Sequence, residues 1–206
     1  MAAPASGFAW DTAHAYALRD ANRGNLRASE VWLRFGLASS VEDIHQSLVE
    51  SVGMPWVNTI AADRHGRALY ADITATPNLS DAHMQTCAAD APAAASWRAA
   101  RLFVLDGARG ACDWPVSAET PDPGLMPGSA MPALFRDDFV ANSNDSYWLT
   151  NPAAPLTGYP RVIGEEGVPQ NLRTRSGLLE IAAWREGSDG QAGRLFDRKG
   201  VETILY

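Results

Sequence analysis

Four small polar residues, Asn142, Ser143, Asn144 and Asp145, follow one another in the sequence. They come directly after the apolar segment 139–141, which is predicted to be a strand. An asparagine amide at the end of a strand can donate a hydrogen bond to an oxygen that gains negative charge during a reaction, while its own ionisation stays unchanged. The same side chains can instead bond their own backbone in an Asx turn. Spacing alone favours the turn.

Two arginines, Arg173 and Arg175, stand near the start of a predicted helix over 172–184. Because they are two residues apart, they point to different faces of that helix. A cation at a helix N-terminus opposes the helix dipole, at a cost of some tenths of a kcal/mol. This placement predicts a specific partner for at least one of the two arginines, and the alternative is a solvated side chain.

The other residues that could take part in catalysis or metal binding give weaker signals. His14, His45, His65 and His83 lack the spacing of metal ligands, so no metal site is predicted. The sequence contains no GxSxG, P-loop or GxGxxG motif. Cys87 lies 25 residues before Cys112 (112 − 87), and the pair forms either one disulfide or two buried thiols. A disulfide would indicate an oxidising compartment.

Composition excludes several classes of function. The chain has 206 residues, of which 46% are hydrophobic and 20% charged, as expected for one globular domain or a piece of a larger one. Seventeen basic residues against 24 acidic ones give a net charge of −7, and no basic stripe is present, so no nucleic-acid partner is expected. No apolar run is long enough for a membrane span, and no signal peptide is recognisable at the start.

Hydrophobic periodicity predicts the elements that must position these residues. The predicted helices cover 25–35, with Gly36 as the stop, 40–52, part of 88–100, and 172–184. In the second, Ser40 and Asp43 form an acidic capping box. A hairpin is predicted with strands 56–62 and 67–73 around a turn at 63–66, and its return strand should bury one face only.

Further short strands are predicted at 15–19, 102–105 and 139–141, and long loops at 113–132 and 151–167. The first seven residues are expected to be irregular. The segment 187–193 is predicted to be a flexible turn, and no internal repeat is present.

Several segments together resemble the penicillin acylase family of N-terminal-nucleophile amidohydrolases, in the branch of acyl-homoserine lactone and aculeacin acylases. The matching sequences are YALR at 16–19, PWVNTIAAD at 55–63 followed by Gly66, LYAD at 69–72, CDW at 112–114, VANSNDSYWL at 140–149, NP at 151–152 and LRTR at 172–175. The resemblance runs from about residue 16 to about residue 181. It identifies residues 1–206 as one fragment of the β subunit, without a complete second domain.

The resemblance implies an α+β fold, as part of an αββα sandwich. It also implies a precursor that cleaves itself at a Gly-Ser bond and exposes an N-terminal serine. The α-amino group of that serine, with a pKa near 8, is the general base for attack on an amide carbonyl. An asparagine side chain and a backbone N–H stabilise the oxyanion.

Carried over by motif position, the oxyanion asparagine is Asn144, with Asn142 as the fallback. The supporting arginine is Arg173, with Arg175 as the competitor. The substrate would be an N-acylated small molecule, such as an acyl-homoserine lactone, a lipopeptide or a β-lactam. No metal and no cofactor are carried over.

The serine nucleophile of the resemblance has no counterpart in this sequence. The pairs Gly128-Ser129 and Gly187-Ser188 do not fit the cleavage site, because both are predicted in loops close to or beyond Asn144. The remainder of the acylase precursor is therefore an expected partner, and the location of the resembling enzymes is periplasmic or secreted. The chain alone is expected to be inactive and poorly soluble or partly molten. The rival hypotheses are a non-catalytic binding or structural module and a hydrolase with its own triad.

Overall fold

The computed structural model describes residues 12–100, 102–190 and 202. Within these residues five α-helices accompany one three-stranded antiparallel sheet, which is an α+β arrangement. The elements in chain order are α1 (Arg27–Leu37), α2 (Val41–Ser51), β1 (Thr59–Ala62), β2 (Ala68–Ala71), α3 (Asp81–Cys87), α4 (Ala91–Ala100), β3 (Ala133–Arg136) and α5 (Leu172–Glu186). The expected irregular segment 1–7 lies outside the described residues.

The first two helices form as their local sequence predicts. Ser40 accepts a hydrogen bond from the Asp43 backbone N–H, and the Asp43 side chain accepts one from the Ser40 backbone, so the predicted capping box is confirmed. Helix α1 continues through Gly36 to Leu37, one residue beyond the expected stop. Gly53 follows α2 and lies so close to α1 that an added Cβ would be 2.8 Å from the backbone of Arg27. A side chain there would separate the two helices.

The predicted hairpin is confirmed with shorter strands. The Asp63 side chain closes the turn by accepting hydrogen bonds from the backbone N–H groups of His65 and Arg67, at 2.8 and 3.1 Å. Gly66 takes the positive φ of 85° that the turn requires. The register pairs Ile60 with Tyr70.

The burial of β2 differs from the prediction of one buried face. Leu69, Tyr70 and Ala71 are all fully buried, because β2 is the central strand and carries β1 on one edge and β3 on the other. Alternation in the sequence could not reveal this, since the residue expected to face outward is a tyrosine.

The strand predicted at 139–141 is wrong. Ala141 instead exchanges hydrogen bonds with Thr150: its backbone N–H donates to the Thr150 carbonyl at 2.8 Å, and the Thr150 hydroxyl donates to the Ala141 carbonyl at 2.9 Å. Strand β3 lies six residues earlier (139 − 133), where Leu134 pairs with Tyr70. The open edge of β2 determines which apolar segment becomes the strand.

Two further predicted strands are wrong. The segment 15–19 is not assigned as a strand, and its Leu18 side chain is 96% exposed. In 102–105 only Leu105 forms a bridge, with Ala88. The first segment alternates in sequence and the second is a short apolar run, but neither has a neighbouring strand among the described residues with which to form a ladder.

A second, smaller core includes Met84 of helix α3, and a disulfide joins Cys87 to Cys112, so the alternative of two free thiols is wrong. Helix α3, which periodicity did not predict, ends at Cys87 and is capped by Ser80. Helix α4 falls within the range predicted for it. The buried members of this cluster are Leu79, Met84 and Trp97.

The main core lies between α1, α2 and the sheet. The long loop 113–132 is confirmed as lacking α-helix and strand, yet it contributes to this core. The buried members are Val31, Val41, Leu48, Val52, Met54, Leu69, Ala71, Ile73, Ala75, Leu125, Met126 and Met131. Among the described residues, no helix is both long and apolar enough to span a bilayer.

Helix α5 forms where predicted. The Asn171 side chain caps its N-terminus by accepting from the Thr174 backbone N–H at 2.9 Å. Its buried residues are Thr174 and Trp184, whereas Leu172 and Leu179 are 78% and 70% exposed. Part of the apolar surface of this helix is therefore open.

Candidate functional site

The segment 142–145 is fastened to the N-terminus of α5 through the carboxylate of Asp145. One oxygen of this carboxylate accepts from the Asn171 backbone N–H at 2.6 Å and from the Thr174 hydroxyl at 3.1 Å. The other accepts from the backbone N–H of Ser146 at 2.9 Å. A carboxylate at a helix N-terminus is favoured by the helix dipole. The segment and the helix are thereby held as one unit.

Asn142 forms the Asx-type turn that spacing favours. Its Oδ1 accepts from the Asp145 backbone N–H at 3.3 Å, and its Nδ2 donates to the Asp145 carbonyl at 3.0 Å. The same Oδ1 also accepts from Nδ2 of Asn58, at 3.0 Å. Both ends of the Asn142 amide are therefore engaged in structure, which weakens Asn142 as the fallback oxyanion donor.

Asn144 is in a different situation. Its side chain is exposed, and its backbone takes a φ of 56°, a left-handed conformation that asparagine tolerates better than most residues. Nη2 of Arg173 donates to its Oδ1 at 3.1 Å. Because a guanidinium carries donors only, the atom facing it must be the oxygen. The Nδ2 group of Asn144 donates no hydrogen bond to any described residue.

Arg173 also donates to the backbone carbonyl of Ser143, so one guanidinium contacts both residues of the turn tip. The expectation that at least one arginine near the helix start has a specific partner is confirmed. The exposed side chain of Arg175 makes no hydrogen bond or ion pair within the described part of the chain. Hydrogen bonds polarise one another, so a cation on Oδ1 makes Nδ2 a stronger donor.

Half-buried acidic side chains and the buried Tyr147 lie in segments that flank the site. The Tyr147 hydroxyl donates to a carboxylate oxygen of Glu166 at 2.5 Å, and that oxygen also accepts from the Tyr159 backbone N–H at 3.0 Å. Burial raises the pKa of the Tyr147 phenol above its usual range. Burial likewise raises the pKa of Asp72 to about 6. The tyrosine therefore stays protonated and serves as a hydrogen-bond donor.

The two Gly-Ser pairs have structural roles. Gly128 packs against α2 so tightly that an added Cβ would lie 2.6 Å from Cα of Val49, and the Ser129 hydroxyl donates to Glu119. Gly187 ends α5 with a φ of 73°, and the following Ser188 N–H bonds back to that helix. The first pair is therefore packed against α2, and the second forms the C-terminal cap of α5.

No group of three or more His, Cys, Asp or Glu side chains is arranged to hold a metal ion in the ranges that the structure describes. Two grooves, of about 330 and 190 Å³, are lined by residues of 18–24, 114 and 122–125 and by residues of 84–105. Neither includes a residue of the segment 142–145.

Comparison with known proteins identifies the class of protein. The penicillin amidase family matches residues 5–200, so the chain belongs to that family.

Two kinds of curated relative match most of the chain. Aculeacin-A acylase of Actinoplanes utahensis is 43% identical over 199 residues, which are 97% of this chain and 25% of that protein. The acyl-homoserine lactone acylase PvdQ of Pseudomonas fluorescens (strain Pf-5) is 43% identical over 173 residues, 84% of this chain and 22% of that enzyme. PvdQ of Pseudomonas putida is 41% identical over 172 residues, with the same coverage. The chain thus spans about a quarter or less of the length of these relatives.

The contact between Asn58 and Asn142 is the part of the site that sequence reasoning missed. The two residues are 84 positions apart; Asn58 lies in one predicted strand and Asn142 follows another. No spacing rule connects them, and only the folding of 142–145 against the start of β1 brings them together.

Proposed function

We propose that this chain is part of an acylase that hydrolyses the amide bond of an N-acylated small molecule, and that Asn144 donates a hydrogen bond to the oxyanion. Membership of the penicillin amidase family and the acylase names of the relatives support the reaction class. The observation that carries the residue assignment is the contact of Arg173 with Asn144, because it engages Oδ1 and leaves Nδ2 available as a donor.

In the proposed reaction an N-terminal serine outside this chain attacks the amide carbonyl, with its own α-amino group as the base. The carbonyl oxygen gains negative charge as the carbon becomes tetrahedral, and Nδ2 of Asn144 donates to it. The amine leaves, an acyl-enzyme remains, and water releases the acid. Removing one such donor typically lowers the rate by about 10²–10³.

A larger assembly is proposed for this reaction, in which the sheet belongs to an αββα sandwich. Within the described residues β1 and β3 each have one partner strand, and several apolar side chains on α1 and α5 are exposed. The acyl-homoserine lactone, lipopeptide and β-lactam substrates remain alternatives for the whole protein. We place the acyl pocket mostly in segments beyond this chain, since neither described groove reaches Asn144.

The proposed location is the periplasm or the outside of the cell. The disulfide between Cys87 and Cys112 supports an oxidising compartment, because cytosolic thiols are generally kept reduced.

A chimera tests the proposal. This chain replaces the aligned segment of aculeacin-A acylase, and we call the product the acylase chimera. Self-cleavage into two subunits reports correct folding. We expect the chimera to hydrolyse a chromogenic acyl amide and Asn144→Ala to lower kcat by about 10²–10³ with self-cleavage unchanged.

Two results would contradict the proposal. One is a self-cleaving chimera in which Asn144→Ala leaves kcat unchanged, which would favour a binding or structural module. The other is hydrolysis by the purified 206-residue chain alone, with labelling of that chain by a serine-directed fluorophosphonate. The second result would indicate an autonomous hydrolase.

A further inference from the structure

The contact between Asn58 and Asn142 connects the sheet to the segment that carries Asn144. Asn58 immediately precedes β1, and the pairing of Thr59 with Ala71 fixes the position of that strand end. From this half-buried position its Nδ2 donates to Oδ1 of Asn142 at 3.0 Å. A residue next to the regular sheet thus holds a residue of an irregular loop.

The Asn142 side chain in turn encloses the tip of that loop. Its two hydrogen bonds to the backbone of Asp145, at 3.3 and 3.0 Å, close a ring around Ser143 and Asn144. The orientation of the Asn142 amide therefore fixes the backbone on either side of Asn144, which holds the left-handed φ of 56°. A rotated Asn142 amide would lose both bonds, because its donor and acceptor ends would exchange places.

The loop has a second anchor on the helix side, through Asp145 and Arg173. These contacts fix the loop to α5, so the loop moves with that helix. The exposed leucines of α5 show that part of the helix surface is not packed against other elements. The Asn58 contact ties segment 142–145 to the start of β1, whereas α5 is linked to β3 through the ion pairs of Asp138 with Arg185 and Arg136. Two anchors on different elements define a position that one anchor would leave free to tilt.

We propose that Asn58 is a positioning residue for oxyanion stabilisation, which acts through Asn142 to hold the Nδ2 group of Asn144 in place. This inference rests on the proposed function of Asn144. Asn58 itself makes no contact with the reacting atoms in this scheme. A small displacement of a reacting group is costly, since about 1 Å can reduce a rate by about 10².

The test uses the acylase chimera with Asn58→Asp, which keeps the size of the side chain and turns the donor into an acceptor facing Oδ1. Asn25→Asp is the control, because Nδ2 of half-buried Asn25 also makes structural hydrogen bonds, to the Gly53 carbonyl at 2.8 Å and to Oδ1 of Asn22 at 3.1 Å, and neither partner belongs to segment 142–145. We expect Asn58→Asp to lower kcat by about ten- to a hundredfold with KM unchanged. Affinity for an alkyl boronic acid, which forms a tetrahedral adduct with serine, should fall by a similar factor. Asn25→Asp should leave both values unchanged.

A double variant separates positioning from a general structural effect. If Asn58 acts only through Asn144, adding Asn58→Asp to Asn144→Ala leaves kcat where Asn144→Ala alone puts it. Should Asn58→Asp prevent self-cleavage, Asn58→Ala removes the bond without introducing repulsion and is expected to act in the same direction. Equal kcat for Asn58→Ala and the unsubstituted chimera, or a further loss in the double variant, overturns the inference. If Asn144→Ala itself leaves kcat unchanged, it is the proposed function that fails.

Discussion

Arg173 reaches back from the first turn of α5, and its Nη2 lies 3.1 Å from the side-chain oxygen of Asn144. The contact joins two positions 29 residues apart, and it orients an amide whose two ends look alike in shape but differ in chemistry. With the oxygen held by a cation, the nitrogen is the end presented to solvent. The same guanidinium donates a hydrogen bond to the Ser143 carbonyl, so it also restrains the backbone beside Asn144.

We expect Arg173→Lys in the acylase chimera to lower kcat by about tenfold or more, because the single ammonium group of lysine cannot reproduce the planar set of donors on a guanidinium. The measurement is kcat for a chromogenic acyl amide. Arg175→Lys is the matched control, since Arg175 lies two residues further along the same helix and its side chain makes no bond with the described residues. Equal losses for the two variants would contradict the role given to Arg173.

The disulfide offers a prediction about stability. It closes a segment of 25 residues and holds α3 against the turn at Gly110–Cys112. Replacing both cysteines by alanine should lower the free energy of unfolding by about 3 kcal/mol, mainly because the unfolded chain gains conformational freedom. Urea denaturation followed by tryptophan fluorescence in dilute protein measures the change.

Dithiothreitol provides the control for that experiment. It should shift the midpoint of the unsubstituted chain and leave that of the double-alanine variant in place. Midpoints that coincide for the oxidised chain and the variant would contradict the prediction.

Local signals in the sequence were sufficient where a structure depends on neighbours along the chain. The Ser40–Asp43 capping box and the turn at Asp63 and Gly66 each involve bonds within four residues, and both form as predicted. The strand at 139–141 failed for the opposite reason. Whether an apolar segment becomes a strand depends on a free sheet edge, and the edge of β2 is filled by β3.

In the candidate site, too, local features were predictable from the sequence and contacts between distant residues were not. The motif and the unfavourable charge at the helix start both pointed to an arginine with a partner, and local rules anticipated the Asx-type turn of Asn142. The choice between Arg173 and Arg175 needed the direction of the helix relative to the loop. The contact of Asn58 with Asn142 needed the whole chain between them to fold.

Asp138 predicts a pH dependence of stability. The Arg136 guanidinium holds the pKa of this carboxyl well below its usual range, aided by the Phe139 N–H and by Arg185 of α5. Its side chain is 20% exposed. The pKa of Asp138 in the folded state lies below its unfolded value of about 4. The ionised group therefore stabilises the fold at pH values above about 4. This contribution is lost as the pH falls towards the folded pKa.

Asp138→Asn should therefore lower the urea midpoint at pH 7, and the difference from the unsubstituted chain should shrink as the pH falls below about 5. Asp137→Asn is the control, since the exposed Asp137 side chain forms no ion pair or hydrogen bond with the described residues. A difference that stays constant down to pH 3 would show that Asp138 acts by packing and not by charge.

The open edge of β1 predicts self-association of the isolated chain. Strand β1 has β2 as its one partner among the described residues, and its Ile60 side chain is 49% exposed. Exposed apolar strand edges pair with other chains, and a lysine on the edge prevents this. Ile60→Lys should therefore reduce association in sedimentation velocity experiments. Gln85→Lys adds the same charge at an exposed position of α3 and should not reduce association. A chain that is monomeric without either substitution, and that unfolds in one sharp thermal transition, would contradict the expectation of poor solubility.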